Sequence, residues 1–187
     1  MKIILLNGPP GCGKDFAGQI LMDLLPKSVV VKFAKELKER THALYRLMNI
    51  YGQPFAHDAF EHCKDTPVAE FHGRTPRLCY IAVSENLIKP LHGDYIFGEW
   101  LANAMEAAPM YDTFIVTDSG FAEEAEVLIK RFGKDNVQLI RIHREGHDFS
   151  SDSRSYLDLG VQCHDVMNCG TPAFAQSLKT CLSSVGW

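Results

Sequence analysis

The chain has 187 residues, of which 46% are hydrophobic and 22% are charged, and its net charge at pH 7 is −4. This length fits one globular domain with a full hydrophobic core, so we expect a single domain over residues 1–187. The acidic balance argues against a protein whose main task is to grip a phosphate backbone, although it leaves room for a local basic groove.

The first predicted element is a strand over residues 3–6, because a short, fully apolar run is typical of a strand that is buried on both faces. A glycine-rich loop follows this strand. Apolar residues at helical spacing then predict a helix over 15–25, which ends at Pro26. A β-branched run predicts a second strand over 29–33, and a helix is expected over 35–48.

The next segment is predicted to be an insertion that faces a substrate, over about residues 49–107. Its first part is irregular, up to Gly73. Thr75 followed by Pro76 predicts a capped helix start, and that helix is expected to stop before Pro90. A further short helix is predicted over 97–107.

The last third of the chain alternates strands with helices. We predict strands over 113–116, 137–142 and 164–167, helices over 121–132 and 171–182, and a polar, lid-like loop over about 144–156. This alternation predicts an α/β protein with three layers, α/β/α, around a mainly parallel sheet of roughly five strands, in the manner of a P-loop kinase.

The loop after the first strand has the sequence GPPGCGKD, which matches the G-x-x-x-x-G-K pattern of a phosphate-binding loop. Its glycines let the backbone N–H groups face an anion, and Lys14 adds a charge for the outer phosphates of a nucleotide. A plain glycine-rich turn is the alternative. Because the pattern lies between a buried strand and an amphipathic helix, we predict that ATP is bound by Gly8, Gly11, Cys12, Gly13, Lys14, Asp15 and Phe16.

Two aspartates are candidates for metal and proton chemistry. Asp15 stands where such loops normally carry the Ser or Thr that reaches Mg²⁺, and a carboxylate is itself a good ligand for that ion. The alternative is that Asp15 only caps the helix. Asp118 ends an apolar strand, so it suits either the ordering of the metal's water shell or the activation of an acceptor hydroxyl. A simple turn aspartate is the alternative there.

Arginines matter because phosphoryl transfer develops negative charge on the transferred group. Arg144 and Arg154 lie in the predicted lid and are predicted to be catalytic. Arg74 and Arg77 flank the helix start in GRTPR and are predicted to bind substrate. For each of the four, a surface ion pair is an equally good interpretation. The remaining basic residues of the helices, Lys38, Arg40 and Lys89, are expected to lie on solvated faces.

Four stretches resemble the phage deoxynucleoside monophosphate kinase group of P-loop kinases: LLNGPPGCGKD, RTPR, FIVTDSGFAEEAE and VMNCGTPAFAQSLK. The resemblance spans nearly the whole chain, and that group shares the Lys–Asp pair at the end of the loop. The group often carries Thr after this pair, where the chain has Phe16. It also tends to carry Asp-x-Arg after the third strand, where the chain has Asp118, Ser119 and Gly120.

The absence of that arginine weakens the case for a free monophosphate as the acceptor. The stretches TPR…YIAVSE.LIKP, DSGF and DSRSY look more similar to a branch of phage kinases that phosphorylate 5-hydroxymethyluracil in DNA. This resemblance implies a kinase that uses ATP and Mg²⁺ to phosphorylate the hydroxymethyl group of that base, as a step in thymidine hypermodification. The alternatives are a kinase of free deoxynucleoside monophosphates and a nucleotide-binding module without catalysis.

The cysteine pattern and hydropathy bear on the compartment. The six cysteines form no Cys-x-x-Cys pair, so free thiols in a reducing cytoplasm are expected, which would be the host's cytoplasm if the protein is viral. The amino end lacks the pattern of a signal peptide, and the apolar runs are too short to span a membrane, so no membrane partner is expected.

Overall fold

Five parallel strands form one sheet in the computed structural model, which describes residues 1–150, 152 and 154–184. Every pairing between neighbouring strands is parallel, and the spatial order is second, third, first, fourth, fifth. The strands are β1 (Lys2–Asn7), β2 (Ser28–Val31), β3 (Thr113–Val116), β4 (Val137–His143) and β5 (Gln162–Met167).

The described residues include seven α-helices, six of which contribute side chains to the buried clusters on the two faces of this sheet. They are α1 (Lys14–Leu24), α2 (Ala34–Leu44), α3 (Pro76–Val83), α4 (Lys89–His92), α5 (Ile96–Glu106), α6 (Ala122–Phe132) and α7 (Thr171–Ser184). The predicted α/β class, its three layers and its parallel sheet of five strands are therefore confirmed.

Strand β1 shows why both faces of the sheet are covered. Successive side chains of a strand point to opposite faces, and Ile3 and Leu5 lie in one buried cluster while Ile4 and Leu6 lie in another. The first cluster includes residues of α2, α3, α5 and α6, and the second includes residues of α1 and α7. All four β1 side chains are fully buried, as the apolar run predicts.

The strand order places the glycine-rich loop centrally. Strand β1 has β3 on one side and β4 on the other, so the chain leaves β1 at the point where the direction of winding reverses. In open α/β sheets, ligands bind outside the carboxyl ends of the strands at this point.

Two helix ends differ from the predictions. Helix α2 ends at Leu44 rather than at residue 48, because Arg46 adopts a left-handed backbone conformation, with φ of 58°, and turns the chain. The helix from Pro76 does not stop before Pro90 either. A π-helical stretch, Ser84–Ile88, joins α3 to α4, which contains Pro90. The wider π turn accommodates a residue that lacks a backbone N–H group.

The segment between α2 and α3 contains two short 3₁₀ helices, Glu61–Cys63 and Ala69–Phe71. Phe60 and Phe71 pack against the buried ring of His42, and Phe55 packs against Phe60, so the segment belongs to the same core as the sheet face that it covers. Among the described helices, none is both long and apolar enough to cross a membrane.

Candidate functional site

The carboxyl ends of all five strands bring polar residues to one edge of the sheet. The glycine-rich loop follows β1, Lys32 follows β2, and Thr117 and Asp118 follow β3. Arg144 follows β4 and Asn168 follows β5. Because the strands are parallel, residues that are far apart in sequence meet here.

Close packing explains the glycines of the loop. A Cβ atom at Gly8 would lie 2.5 Å from the carbonyl oxygen of Ile142, which is too close for any side chain. Gly13 has a φ of 105°, in the left-handed region, and directly precedes the first residue of α1. No side chain caps the start of this helix, so its first N–H groups remain suited to an anion.

Lys14 folds back over the loop. Its ammonium group donates hydrogen bonds to the carbonyl oxygens of Gly8, at 2.6 Å, and Pro9, at 2.8 Å. Desolvation lowers the pKa of Lys14, and the positive charge of Arg154 acts in the same direction. A bound phosphate would replace these two carbonyl oxygens as the partner of the ammonium group.

The thiol of Cys12 accepts a hydrogen bond from the ammonium group of Lys14, at 3.8 Å. Its side chain is fully buried among residues of α1 and α7, and burial raises the pKa of the thiol. The Cys12 carbonyl oxygen accepts a hydrogen bond of 2.8 Å from the Asn168 side chain, which ties the loop to the end of β5. Cys12 therefore links Lys14 to the end of β5.

Asp15 lies between two partners from neighbouring strands. Its Oδ1 atom pairs with the ammonium group of Lys32 at 2.8 Å and accepts a hydrogen bond of 3.0 Å from the hydroxyl of Thr117. Partial desolvation tends to raise the pKa of Asp15, but the hydrogen bond and charge of Lys32 outweigh this, and the pKa lies below its usual value. The carboxylate is therefore ionised and available for a cation.

Asp118 fixes the start of α2. One carboxylate oxygen accepts a hydrogen bond of 2.9 Å from the Phe33 amide, and the other accepts one of 3.0 Å from the Ala34 amide. Desolvation raises the pKa of Asp118 despite these bonds. Each oxygen keeps a second lone pair, so this capping role leaves room for an acceptor hydroxyl.

Arg154 lies across the turn that follows Asp118. Its guanidinium group forms a two-bond pair with Asp152, and a Cβ atom at Gly120 would overlap its side chain. The charge of Arg154 interacts with Lys14 and with Asp118. Ser153 of the DSRSY stretch lies outside the described residues, as does Ser151, which precedes the stretch.

Asn7 connects the glycine-rich loop's strand to the turn after Asp118 and to the segment that follows Arg154. Sequence analysis did not identify this role. The side chain is 1% exposed and donates hydrogen bonds to the carbonyl oxygens of Ser119 and Ser155, at 2.9 and 3.1 Å. Its own oxygen accepts one from the Leu157 amide, at 3.1 Å. A polar residue at the end of an otherwise apolar strand, next to the loop, was the available signal.

The other three arginines have different surroundings. Arg144 is exposed and donates a hydrogen bond of 2.9 Å to the Gly11 carbonyl oxygen, so it contacts the loop from outside. Arg77 forms a two-bond pair with Asp65, at 2.5 and 3.1 Å, and its charge also interacts with those of Asp152 and Arg154. Arg74 is exposed and interacts with the Tyr45 side chain.

Phe16, the last residue of the predicted nucleotide loop, faces α7. Its side chain is half-exposed, and its ring stacks on that of Phe174 with the centroids 6.4 Å apart. These contacts place Phe16 on the outer side of α1 and give it no partner at the strand ends.

The expectation that Lys38 and Lys89 lie on solvated faces is wrong. The Lys38 side chain is 14% exposed, forms an ion pair with Glu61 and lies over the ring of Tyr80. Burial by itself would raise the pKa of Glu61. The ammonium groups of Lys38 and Lys64 have the larger effect and lower this pKa to about 2. The Lys89 side chain is 15% exposed and forms an ion pair of 2.7 Å with Glu85. Arg40 is more exposed than these two lysines, although its guanidinium group lies over the ring of Trp100.

Glu124 is a second buried carboxyl group beside Asp118, and sequence analysis missed it as well. It lies on the sheet-facing side of α6 and is 5% exposed. Burial raises its pKa to about 8, and the negative charge of Asp118 adds to this effect. An acidic residue on the apolar side of an amphipathic helix was the signal.

A cavity of about 620 Å³ adjoins the loop, since Arg144 and His147 line it and both lie against Gly11. Two histidines and two aromatic residues are among the residues that line it, and the His143 and Tyr156 rings lie 4.4 Å apart. A smaller cavity of about 260 Å³ lies at the amino ends of β4 and β5, at the opposite edge of the sheet. Only the first adjoins the loop.

The site offers few protein ligands for a metal. Among the described residues, no group of three or more His, Cys, Asp and Glu side chains is arranged to hold an ion. The oxygen atoms of Asp15 and Thr117 nevertheless suit Mg²⁺, which is usually held by one or two carboxylates together with substrate phosphates and water.

Comparison with known proteins adds little about the chemistry of this site. No protein-family model matches the sequence, and no curated protein matches it. One similar solved structure is an unliganded sugar kinase from Janibacter sp., with 13% sequence identity and a TM-score of 0.48. The alignment covers 98% of this chain and 93% of that one. A sequence identity and a TM-score this low do not support a functional inference, so any assignment of function depends on the chain's own residues.

Proposed function

We propose that the protein is a kinase that uses ATP and Mg²⁺. The observation that carries this proposal is the position of the glycine-rich loop and Lys14 at the carboxyl edge of a parallel sheet, where Asp15, Asp118 and Arg154 also lie. Phosphoryl transfer depends mainly on positioning and on charge, and this edge supplies both.

Each residue has a proposed role in this reaction. The loop amides and Lys14 bind the β- and γ-phosphates, and Asp15 holds Mg²⁺, which when bound neutralises charge on those phosphates. Arg154 stabilises the charge of the transferred group. Asp118 orients the acceptor hydroxyl and takes its proton as the new phosphate ester forms and ADP leaves.

Two segments have roles that also remain proposals. Residues 144–156 would close over ATP as a lid, since they start with Arg144 at the loop and reach Arg154 beside Lys14. Residues 49–107 would face the acceptor, because Arg77 in this segment interacts with the charges of Asp152 and Arg154.

The acceptor that we favour is the hydroxymethyl group of 5-hydroxymethyluracil in DNA. This choice rests on the sequence resemblance and on the absence of an arginine in the turn Asp118, Ser119 and Gly120. Because Asp118 is recessed behind Arg154 and the start of α2, the target base would have to leave the base stack to reach it.

Two alternatives have an observation in their favour. The pair of cations formed by Arg77 and Arg154 could hold the phosphate of a free deoxynucleoside monophosphate, which favours a nucleotide kinase. Both oxygens of Asp118 already accept backbone hydrogen bonds, which favours a nucleotide-binding module without catalysis.

A transfer assay with ATP labelled on its γ-phosphate separates the three. The acceptors are a duplex containing 5-hydroxymethyluracil, the same duplex with thymine, and free deoxynucleoside monophosphates. We expect label only in the first. Label confined to the free nucleotides would establish the nucleotide kinase, and ATP binding without any transfer would establish the module.

A Lys14→Ala variant tests the loop in the same assay. We expect a loss of roughly a hundredfold or more in kcat/KM, because the charge that binds the transferred phosphate is gone. Lys35→Ala is the matched control, since Lys35 is exposed in the first turn of α2 and we place it outside the site. Full activity of Lys14→Ala would refute the assignment of the loop.

A further inference from the structure

We propose that the carboxylate of Asp15 and the hydroxyl of Thr117 together form the divalent-cation site, and that the ammonium group of Lys32 occupies this site while the metal is absent. The inference rests on the proposed kinase function, because the arriving metal nucleotide is what would displace Lys32. It adds one ligand that follows β3, Thr117, and one competing cation that follows β2, Lys32, and sequence analysis assigned a function to neither residue.

One carboxylate oxygen of Asp15 is the centre of this arrangement. Its Oδ1 atom lies 2.8 Å from the Lys32 ammonium nitrogen and 3.0 Å from the Thr117 hydroxyl oxygen. The Asp15 side chain is 75% exposed, so a hydrated metal can reach it from solvent. A cation therefore already sits at the carboxylate, beside the loop that would bind the phosphates.

The Thr117 hydroxyl has a fixed direction. The residue is 2% exposed, and its amide donates a hydrogen bond of 3.3 Å to the Val31 carbonyl oxygen. Its methyl group packs against α1 at Gly18, where a Cβ atom would lie only 2.6 Å from it. Since χ1 of a β-branched residue is stiff, this packing turns the hydroxyl toward Asp15.

This geometry explains the unusual loop sequence. A phosphate-binding loop normally supplies a hydroxyl from the residue after its lysine, and here that residue is Asp15. Thr117 returns a hydroxyl to the same place from the end of β3. The hydroxyl donates its hydrogen bond to Asp15, so the lone pairs of its oxygen remain available to a metal.

Lys32 can leave Asp15 without moving its backbone. The two residues that follow it, Phe33 and Ala34, are held by Asp118 through their amides, so the end of β2 is anchored. The Lys32 side chain is long and 26% exposed. Its charge also interacts with Asp118 and Glu61, which gives the ammonium group other carboxylates to approach when a metal takes Asp15.

The test measures Mn²⁺ binding by electron paramagnetic resonance, which reports free Mn²⁺ and needs no acceptor. Each protein is titrated alone and with a non-hydrolysable β,γ-imido analogue of ATP. For the protein alone, we expect Lys32→Met to bind Mn²⁺ roughly two- to fivefold more tightly than wild type, the gain expected from freeing a partly exposed ion-paired carboxylate. Lys35→Met removes the same charge three residues away and should match wild type.

Variants of the two ligands complete the test. Asp15→Asn should abolish the difference that Lys32→Met makes. Thr117→Val keeps the shape of the side chain but should weaken Mn²⁺ binding with the ATP analogue roughly three- to tenfold, whereas Thr117→Ser should stay near wild type. Thermal melting by circular dichroism shows whether each variant is folded.

Two results would overturn the inference. One is an unchanged or weaker Mn²⁺ affinity in Lys32→Met, and the other is equal affinity in folded Thr117→Val and wild type. Neither depends on the acceptor. A protein that transfers phosphate but shows either result refutes only the cation site, and a protein that shows the expected Mn²⁺ pattern but transfers nothing refutes only the kinase assignment.

Discussion

Single residues at the carboxyl edge of the sheet combine structural and chemical tasks. Asn7 joins three segments through one buried side chain, and Asp118 holds the start of α2 with both of its oxygens. Glu124 adds a buried carboxyl group whose protonation state differs from that of an ordinary glutamate. These residues make the edge sensitive to both substitution and pH.

Glu124 should make stability depend on pH. Its pKa is about 8 in the folded protein against an ordinary 4.5, so between these values the folded state binds more protons than the unfolded state. The free energy of unfolding should therefore fall as the pH rises from about 5 to 8, by on the order of 1–4 kcal/mol from this group. Urea unfolding at several pH values measures it.

A neutral replacement isolates this contribution. Glu124→Gln should flatten the fall in stability over that pH range, and the exposed Glu126→Gln, two positions along the same helix, should leave it unchanged. Parallel curves for wild type and Glu124→Gln would show that Glu124 titrates normally in the folded protein.

Asn7→Ala should destabilise the protein and loosen the segment that carries Arg154. The change leaves the buried carbonyl oxygen of Ser119, the part-buried one of Ser155 and the Leu157 amide without their partner, which should cost about 1–3 kcal/mol in the free energy of unfolding. Urea denaturation measures this value, and hydrogen exchange of the Leu157 amide reports the loosening.

The matched control for Asn7→Ala is Asn86→Ala, since Asn86 is exposed in the π-helical stretch. Its stability should change by no more than about 0.5 kcal/mol. If the two variants were equally stable, Asn7 would not hold these segments together.

At the scale of elements, small residues set how closely the helices approach one another and the sheet. Gly18 brings α1 against Thr117 at the end of β3, and Gly98 brings α5 against α6. These contacts fix the start of α1, which follows the loop, and the position of α6, which carries Glu124. Element packing therefore decides where the side chains of the site lie.

Gly98→Ala should destabilise the protein, although Ala favours helices. The new Cβ atom would overlap the carbonyl oxygen of Glu124, a backbone atom that cannot move unless α6 moves. We expect a net loss of about 1–3 kcal/mol by urea denaturation. Ala104→Gly, at an exposed position of α5, measures the helix-propensity effect alone, at about 1 kcal/mol. A Gly98→Ala protein more stable than wild type would contradict this packing.

For the whole molecule, the net charge of −4 limits how nucleic acid can be bound. The protein as a whole repels a phosphate backbone, so if the acceptor is DNA, as proposed above, its affinity would have to come from a few local cations such as Arg77 and Arg154. The recognition of a modified base, and not general attraction to DNA, would then determine which substrate is used.

The salt dependence of DNA binding tests this limit. With two or three phosphate contacts, log Kd should change with log salt concentration with a slope of roughly 2 to 3 for duplex containing 5-hydroxymethyluracil. Fluorescence anisotropy of a labelled duplex measures the slope, and the same duplex with thymine is the control. A slope of about 6 or more would require an extended basic surface.

The sequence by itself determined the fold class, the strand–loop–helix unit at the amino end and the approximate bounds of the strands. Local rules suffice there, because an apolar run, a glycine-rich loop and a helical repeat each occupy one short stretch. The same rules misplaced the end of α2 and the end of the helix at Pro90, since a left-handed residue and a π turn leave no local pattern.

Only the tertiary structure decided how the site is assembled. Lys32 and Thr117 are unremarkable in their own stretches, and Asn7 and Glu124 stand out there only as polar residues among apolar ones. All four gain their roles from neighbours that lie on other strands and helices. The contact between Asp15 and Thr117 joins residues more than a hundred positions apart, and only parallel strands that end at one edge bring them together. Their chemistry depends on burial and on nearby charge, and both are properties of the folded chain.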